Sequence, residues 1–155
     1  MRNTSLVGEI SRSQVMAALA LQGKHILIPL GDFQRYDFVF EEEGRFFRVQ
    51  CKTGRLRNGR VRFACCSIDS RSKLGGCVRR PYTGEIDHFG VYCPDNNRVY
   101  LVPVAEAPKD FCFLRIEPPR NGQKTHLRWA RDFEIGEGLT EPVWVPKTMT
   151  GLAPE

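Results

Sequence analysis

The sequence lacks the features that mark several large classes of protein. Its 155 residues contain no apolar run near the roughly 18 residues that a membrane-spanning helix needs, and no apolar stretch follows the basic start. No internal repeat or low-complexity segment is present, and apolar residues make up 41% of the chain. Such a composition excludes a disordered, collagen-like or coiled-coil chain. We therefore expect a folded cytoplasmic protein without a membrane partner.

The spacing of the cysteines also argues against a zinc site. None of the six forms a C-x-x-C pair, and the adjacent pair Cys65–Cys66 cannot comfortably bind one metal ion. Most lie among apolar residues, as Cys112 does between Phe111 and Phe113. We interpret them as small buried side chains in a reducing compartment.

Positive charge is concentrated in the middle of the chain. Residues 45–80 carry eleven Lys and Arg side chains and one acid, Asp69, whereas the rest carries 12 bases and 17 acids. The net charge of +5 is therefore +10 in this segment and −5 elsewhere. A basic surface of this kind is typical of a protein that binds a polyanion, although a solvated basic face without a partner stays open.

A helix is predicted over about residues 5–22. Thr4 or Ser5 can cap its start and Gly23 can end it. Its main apolar stripe comprises Leu6, Ile10, Ala17 and Leu21, and Val15 and Leu19 lie on the opposite side. Glu9 lies on the flank of the main stripe, close enough to reach over a neighbouring sheet.

Beyond the helix, short apolar runs predict strands. They cover residues 25–30, 35–41, 45–52, 60–67, 88–93, 98–104 and 111–116, with basic or glycine-containing loops over 53–59 and 70–84 and a possible short helix near Trp129. We expect a single domain over 1–145, with a core over about 5–105, a C-terminal elaboration over 106–145 and a tail over 146–155.

One hairpin carries the residues with the most informative chemistry. A turn at Glu43–Gly44 would place Phe38 opposite Val49 on an apolar face. On the other face Asp37 would then lie directly opposite Gln50, and Lys52 would emerge on the same side as Gln50.

These three polar side chains suit phosphodiester hydrolysis. Carboxylate and amide oxygens hold hard divalent cations such as Mg²⁺ or Mn²⁺, which leaves Asp37 and Gln50 as candidate metal ligands. A lysine beside them can orient or help to deprotonate the attacking water, while the metal stabilises charge on the phosphate.

The same residues carry a resemblance to a known family. Tyr36–Asp37, twelve intervening residues and then Gln50–Cys51–Lys52 resemble the PD-(D/E)xK nuclease motif, with Tyr36 replacing the proline and Gln50 the second acid. Residues 49–54 and 87–92 resemble more narrowly the group I intron-associated endonucleases, which are similar to Holliday junction resolvases. The resemblance implies an α/β fold with a central mixed sheet flanked by helices. It also implies supporting metal contacts from Glu9 and from the backbone carbonyl of Cys51.

The resemblance further implies a DNA endonuclease, acting as a homing enzyme on double-stranded DNA or, alternatively, on branched DNA as a Holliday junction resolvase. Because one such site cuts one strand, we expect a homodimer or homotetramer. The residues expected to contact DNA are Ser13, Arg35, Arg55, Arg57, Arg60, Arg62, Lys73, Arg79 and Arg80.

Structural alternatives stay open for each candidate. Asp37 could pair with Arg35 or Arg48, and Lys52 could be a solvated strand end. Gln50 could be a cross-strand partner only, and Glu9 could be an ordinary exposed acid on the helix. The Asp87–His88 pair is interpreted as the start of a strand, because neighbours in a strand point to opposite faces. With glutamine in the motif, a non-catalytic nucleic-acid-binding module is the remaining alternative.

Overall fold

The computed structural model describes residues 3–69 and 78–139. The predicted contact residue Lys73 and the tail over 146–155 therefore lie outside the described residues. The elements in chain order are α1 (Thr4–Leu21), β1 (His25–Leu27), β2 (Phe38–Glu42), β3 (Arg45–Thr53), β4 (Arg55–Arg57), β5 (Arg60–Ala64), β6 (Cys66–Asp69), β7 (Val78–Pro81), β8 (His88–Cys93), β9 (Arg98–Pro103), β10 (Phe111–Arg115) and β11 (Glu134–Glu137), with short 3₁₀ helices at Val104–Glu106 and Ala130–Asp132.

Local capping explains where α1 begins and ends. The Asn3 side chain accepts hydrogen bonds from the backbone N–H groups of Ser5 (3.1 Å) and Leu6 (3.3 Å), so Asn3 is the N-cap rather than Thr4 or Ser5. Gly23 adopts φ +80° directly after the helix, a conformation that costs glycine little, and it ends the helix as predicted.

The buried face of α1 is the one opposite to the predicted stripe. Ser11, Val15, Ala18 and Leu19 are buried, whereas Leu6, Ile10 and Leu21 are 53%, 44% and 76% exposed. The prediction of the main stripe was wrong because α1 carries apolar residues on two sides, and only contact with the sheet selects between them.

The main sheet has six strands in the order β1-β2-β3-β8-β9-β11. Phe38 pairs with Val49 and Phe40 with Phe47, which confirms the predicted register. Its turn residues Glu43 and Gly44 both have positive φ, as tight hairpins require. Strands β3 and β8 run parallel while the other neighbours are antiparallel, so the sheet is mixed, as predicted.

The other face of the main sheet is covered by strands. A parallel pair needs a crossover connection, and here the chain between β3 and β8 includes β4, β5, β6 and β7. Strands β10, β5 and β4 form a second sheet, from which Val61 and Phe63 pack against Phe89 and Val91 of β8. In the described part of the chain, α1 therefore flanks one face of the mixed sheet and the second sheet covers the other.

Strand assignments in the crossover need three corrections. Residues 53–59, expected to be a loop, contain β4, which joins β5 through a tight turn at Asn58–Gly59. The strand expected over 60–67 is divided into β5 and β6, and β7 occupies part of the loop expected over 70–84.

Two predictions about composition can be compared with the described residues. Cys65, Cys66, Cys93 and Cys112 are buried and Cys51 is half-buried, which confirms the predicted burial for these cysteines, while Cys77 lies outside the described residues. No helix in the described ranges is long and apolar enough to span a membrane.

Candidate active site

Asp37 lies immediately before β2, and its carboxylate is turned towards the backbone of β3. The regular ladder ends at the Phe38–Val49 pair, and the Asp37 N–H donates instead to the Val49 carbonyl at 2.8 Å. Asp37 Oδ2 accepts a hydrogen bond of 2.7 Å from the Cys51 N–H. Direct pairing of Asp37 with Gln50 in a regular ladder was therefore wrong, because the irregular end of the hairpin re-aims the carboxylate.

Gln50 and Cys51 complete a compact group of oxygen atoms next to Asp37. The Gln50 amide nitrogen donates to the Cys51 carbonyl at 3.4 Å, and both residues are half-buried. Burial raises the pKa of the Cys51 thiol well above its usual value, so the thiol stays protonated. Cys51 therefore contributes to this group through its backbone N–H and carbonyl and not through its thiol.

Lys52 lies on the same face of β3 as Gln50, as predicted, but it is not a solvated strand end. Its amino group lies 3.3 Å from the Tyr82 hydroxyl, 3.5 Å from the Cys66 carbonyl and 4.7 Å from the centroid of the Tyr82 ring. Both hydrogen-bonding partners are uncharged, so they position the amino group without neutralising it.

Tyr82 is a site residue that the sequence did not reveal. It is 5% exposed, and its ring lies against Lys52 and also 4.0 Å from the guanidinium carbon of Arg35. Tyr82 follows β7 in a segment expected to be a loop, and no local pattern connects it to Lys52. Only the tertiary structure identifies it, because the pairing of β7 with β6 places Tyr82 beside Lys52.

Arg35 has partners inside the protein instead of pointing freely towards a DNA ligand. Its guanidinium forms an ion pair with Glu85 and donates to Ser67 Oγ at 2.6 Å and to the Pro81 carbonyl at 3.0 Å. The hydrogen bond from Arg35 lowers the pKa of Glu85. Arg35 therefore holds the chain before Asp37 against the β6–β7 hairpin, and it pairs with Glu85 rather than with Asp37.

A small cavity of about 140 Å³ adjoins Asp37, and α1 contributes Arg12 to its lining. Glu9 lies one turn before Arg12 and is exposed, with no hydrogen bond or ion pair to another described residue. Asp32 also lines this cavity. Among the described residues, no group of three His, Cys, Asp or Glu side chains lies close enough to hold a metal ion. The structure thus brings together Asp37, Gln50 and Cys51, whereas Glu9 does not line the cavity beside Asp37.

Asp87 and His88 serve the structure of the sheet, as the sequence indicated. Asp87 Oδ2 accepts hydrogen bonds from the Arg48 backbone N–H (2.7 Å) and Nε (3.0 Å), and the bond from the Arg48 side chain lowers the pKa of Asp87. His88 packs against Phe40 and Phe47, and burial lowers its pKa. Arg48 is thereby committed to Asp87 and does not pair with Asp37.

The predicted DNA-contacting residues fall into two groups. Arg79 pairs with Asp110, and Arg80, like Arg35, pairs with Glu85. Arg55, Arg57, Arg60 and Arg62 form no ion pair with an acid in the described residues, and they lie together on β4 and β5. Ser13 is exposed on α1.

Comparisons with known proteins agree with this geometry. A family model described as PD-(D/E)XK endonuclease matches residues 2–136. A search of the curated proteins finds no significant match. Among solved structures, the chain is similar to a bacterial homing endonuclease, I-Ssp6803I, with a TM-score of 0.69 and 24% identity over 86% of this chain and 89% of that one. Because the family model covers most of its length, this chain belongs to the PD-(D/E)XK endonuclease family.

Proposed function

We propose that the protein is a divalent-metal-dependent DNA endonuclease, most like a homing endonuclease. The observation that carries the proposal is the group of polar atoms around Cys51. The Asp37 carboxylate accepts a hydrogen bond from the Cys51 N–H, and the Gln50 amide donates one to the Cys51 carbonyl. In a family of endonucleases, these are the motif positions at which metal ligands are expected. The similarity in fold to a bacterial homing endonuclease supports the same assignment.

The donor set fits a hard divalent cation such as Mg²⁺ or Mn²⁺. Asp37 uses one carboxylate oxygen for the Cys51 N–H and has the other available, while Gln50 and the Cys51 carbonyl add neutral oxygens. Mg²⁺ binds proteins through one or two carboxylates and keeps several waters, so a single aspartate is sufficient. Glu9 would complete the set only by reaching across from α1. When bound, the cation would stabilise negative charge on the scissile phosphate.

Lys52 would act on the water that attacks the phosphodiester. Its amino group is held by the Tyr82 hydroxyl and the Cys66 carbonyl and shares a face with Gln50. A positioned ammonium group can orient a water by donating a hydrogen bond to its oxygen, and its positive charge favours the anionic transition state. Tyr82 is a positioning residue in this scheme, since it touches Lys52.

Cutting both strands of a duplex requires two sites, so we infer that the chain acts as a homodimer or homotetramer on double-stranded DNA. A non-catalytic nucleic-acid-binding module remains the second candidate, because Gln50 is uncharged where the motif has an acid. The two candidates differ in whether the bound DNA is cut.

Cleavage of a random-sequence duplex library and of a four-way junction in Mg²⁺, followed by sequencing of the ends, tests the proposal. Asp37→Asn and Lys52→Ala should each lower the cleavage rate by about 10²–10⁴-fold, because each removes a group positioned at the reacting phosphate. Binding in Ca²⁺ should largely survive both changes. The exposed residues Asp132 and Lys109 provide matched controls, Asp132→Asn and Lys109→Ala, which should cut normally.

Full cleavage by Asp37→Asn and Lys52→Ala, or cleavage in excess chelator, would contradict the proposed site. Binding without any cutting by the unaltered protein would favour the binding module. Preference for the four-way junction over every duplex would identify a resolvase instead.

A further inference from the structure

The outward face of the second sheet is built almost entirely from arginine and phenylalanine. Directly paired residues share a face, so the register places Arg55, Arg62 and Phe113 in one row across β4, β5 and β10. Arg57, Arg60 and Arg115 form the next row, and Ala64 and Phe111 the last. None of these eight positions is acidic. We call this surface the arginine face; its members are Arg55, Arg57, Arg60, Arg62, Ala64, Phe111, Phe113 and Arg115.

The five arginines of this face have no acidic partner among the described residues. Arg35, Arg48 and Arg79 each pair with a nearby carboxylate. No arginine of the arginine face lies within ion-pair distance of an acid in the described residues. Glu117 lines the same cavity as Arg60 and Arg115 but pairs with neither. Neighbouring cations without counter-charges repel one another, so an anionic ligand would stabilise this surface.

Each phenylalanine of the arginine face lies against the guanidinium of a neighbouring arginine. The guanidinium carbon of Arg62 lies 3.8 Å from the centroid of Phe111, and that of Arg60 lies 4.5 Å from Phe113. A guanidinium stacked on a ring keeps its N–H donors at its edge, where they can reach oxygen atoms. Because an arginine side chain covers each ring, contact through phosphate oxygens is favoured over stacking on the unpaired bases of a single strand.

The face also begins beside the candidate active site. β5 ends at Ala64, and the N–H of the next residue, Cys65, donates to the Asp110 carbonyl at 2.8 Å. The following residue, Cys66, contacts the Lys52 amino group through its carbonyl. Adjacent strands lie about 4.8 Å apart, so a row of three arginines spans about 10 Å, close to the roughly 12 Å width of the DNA major groove. A duplex held at Asp37 and Lys52 would therefore extend onto this face.

We propose that the arginine face contacts the phosphate backbone of double-stranded DNA, with Arg115 as a contact that lies far along the chain from the basic segment 45–80. The proposal rests on the proposed function, since it names the surface that holds the substrate outside the scissile bond. It assigns Phe111 and Phe113 the role of positioning residues for Arg62 and Arg60.

The test measures equilibrium binding of the full chain to a random-sequence 30-base-pair duplex in chelator, as a function of salt. All variants carry Asp37→Asn, so cutting does not enter the measurement. Arg115→Ala should weaken binding and flatten the plot of log affinity against log salt by about one unit, the effect of losing one phosphate contact. Arg115→Lys should restore most of the slope, because a phosphate contact needs the charge more than the planar fork.

Arg45→Ala is the matched control. Arg45 is exposed, lies 5.2 Å from the Phe47 ring and has no described acidic partner, but it stands at the turn end of β3, away from the arginine face. The Arg45→Ala substitution removes the same charge at a position outside the arginine face, so the salt slope of this variant should stay that of the parent. Thermal unfolding of each variant verifies that the fold is retained.

Equal slopes for Arg115→Ala and Arg45→Ala would overturn the proposal, as would tighter binding of single-stranded DNA than of duplex. Because binding is measured without cleavage, either result leaves the assignment of Asp37 and Lys52 intact. Conversely, loss of slope on Arg115→Ala in a protein that never cuts DNA would support the arginine face and contradict the proposed hydrolysis.

Discussion

At the scale of single residues, the most consequential position is Gln50. It occupies the place where the family motif has an acid, and its amide lies 3.4 Å from the Cys51 carbonyl, beside the carboxylate of Asp37. A neutral amide oxygen attracts a divalent cation less strongly than a carboxylate does. The structure therefore concentrates the negative charge of this group on Asp37.

Gln50→Glu should tighten metal binding by about tenfold or more while retaining cleavage. A unit charge about 4 Å from another contributes roughly 1 kcal/mol even in water, and more at a half-buried position. Cleavage rates measured across a Mg²⁺ titration, with Mn²⁺ in parallel, give the change in midpoint. The exposed residue Gln123 provides the control, Gln123→Glu, which adds the same charge far from Asp37. Identical titration curves for both variants would mean that Gln50 does not touch the metal.

At the scale of elements, the position of the site depends on how closely α1 approaches the main sheet. Gly90 of β8 pairs with Cys51 of β3, and a β carbon at Gly90 would lie 2.5 Å from Cγ1 of Val15 on α1. Cores packed to this density cannot accept an added carbon without movement of their neighbours. The strand that carries Cys51 is thus supported by a contact that only glycine permits.

Gly90→Ala should lower the free energy of unfolding by about 1–3 kcal/mol, because the new methyl group overpacks the contact with Val15. Urea unfolding followed by circular dichroism measures the change. Gly8 offers the control: it lies inside α1 with no atom within 4 Å of a β carbon, so Gly8→Ala should stabilise by about 0.5–1 kcal/mol. If both substitutions shift the transition equally, the close approach of α1 does not limit stability.

At the scale of the whole molecule, three of the four most exposed large apolar side chains of the described residues lie in the segment that lines the cavity of Asp37. Ile28, Leu30 and Phe33 are 72%, 100% and 98% exposed, and they follow β1, an edge strand of the main sheet. By contrast, the rings of Phe111 and Phe113 lie against Arg62 and Arg60.

We expect light scattering at micromolar concentration to give at least twice the chain mass of 17.7 kDa. Leu30→Ser together with Phe33→Ser should shift the protein towards the monomer, because both side chains offer apolar area for contact with a second copy. The pair Leu6→Ser and Leu21→Ser, at exposed positions on α1, serves as the control. A strict monomer both free and on DNA would favour a nicking enzyme or a binding module.

Local patterns in the sequence determined the hairpin of β2 and β3. Its register follows from alternation of apolar residues and from the tight turn at Glu43–Gly44, both of which act within a few residues. The common face of Gln50 and Lys52 follows from the two-residue period of a strand. The signal for β4 was also local, since Asn58–Gly59 is a typical hairpin turn, but the basic composition of the segment concealed it.

Tertiary contacts decided the features that local periodicity leaves open. Contact with the sheet selected Val15 and Leu19 over Leu6 and Ile10 as the buried side of α1, and that rotation leaves Glu9 exposed. Asp37 turned to the Cys51 N–H because the ladder becomes irregular where β2 begins, and Tyr82 reached Lys52 through the packing of β7. The division between paired arginines and those of the arginine face likewise depends on which acids folding brings near. All of these contacts join residues far apart in the chain, so their energies do not appear in any short window of the sequence.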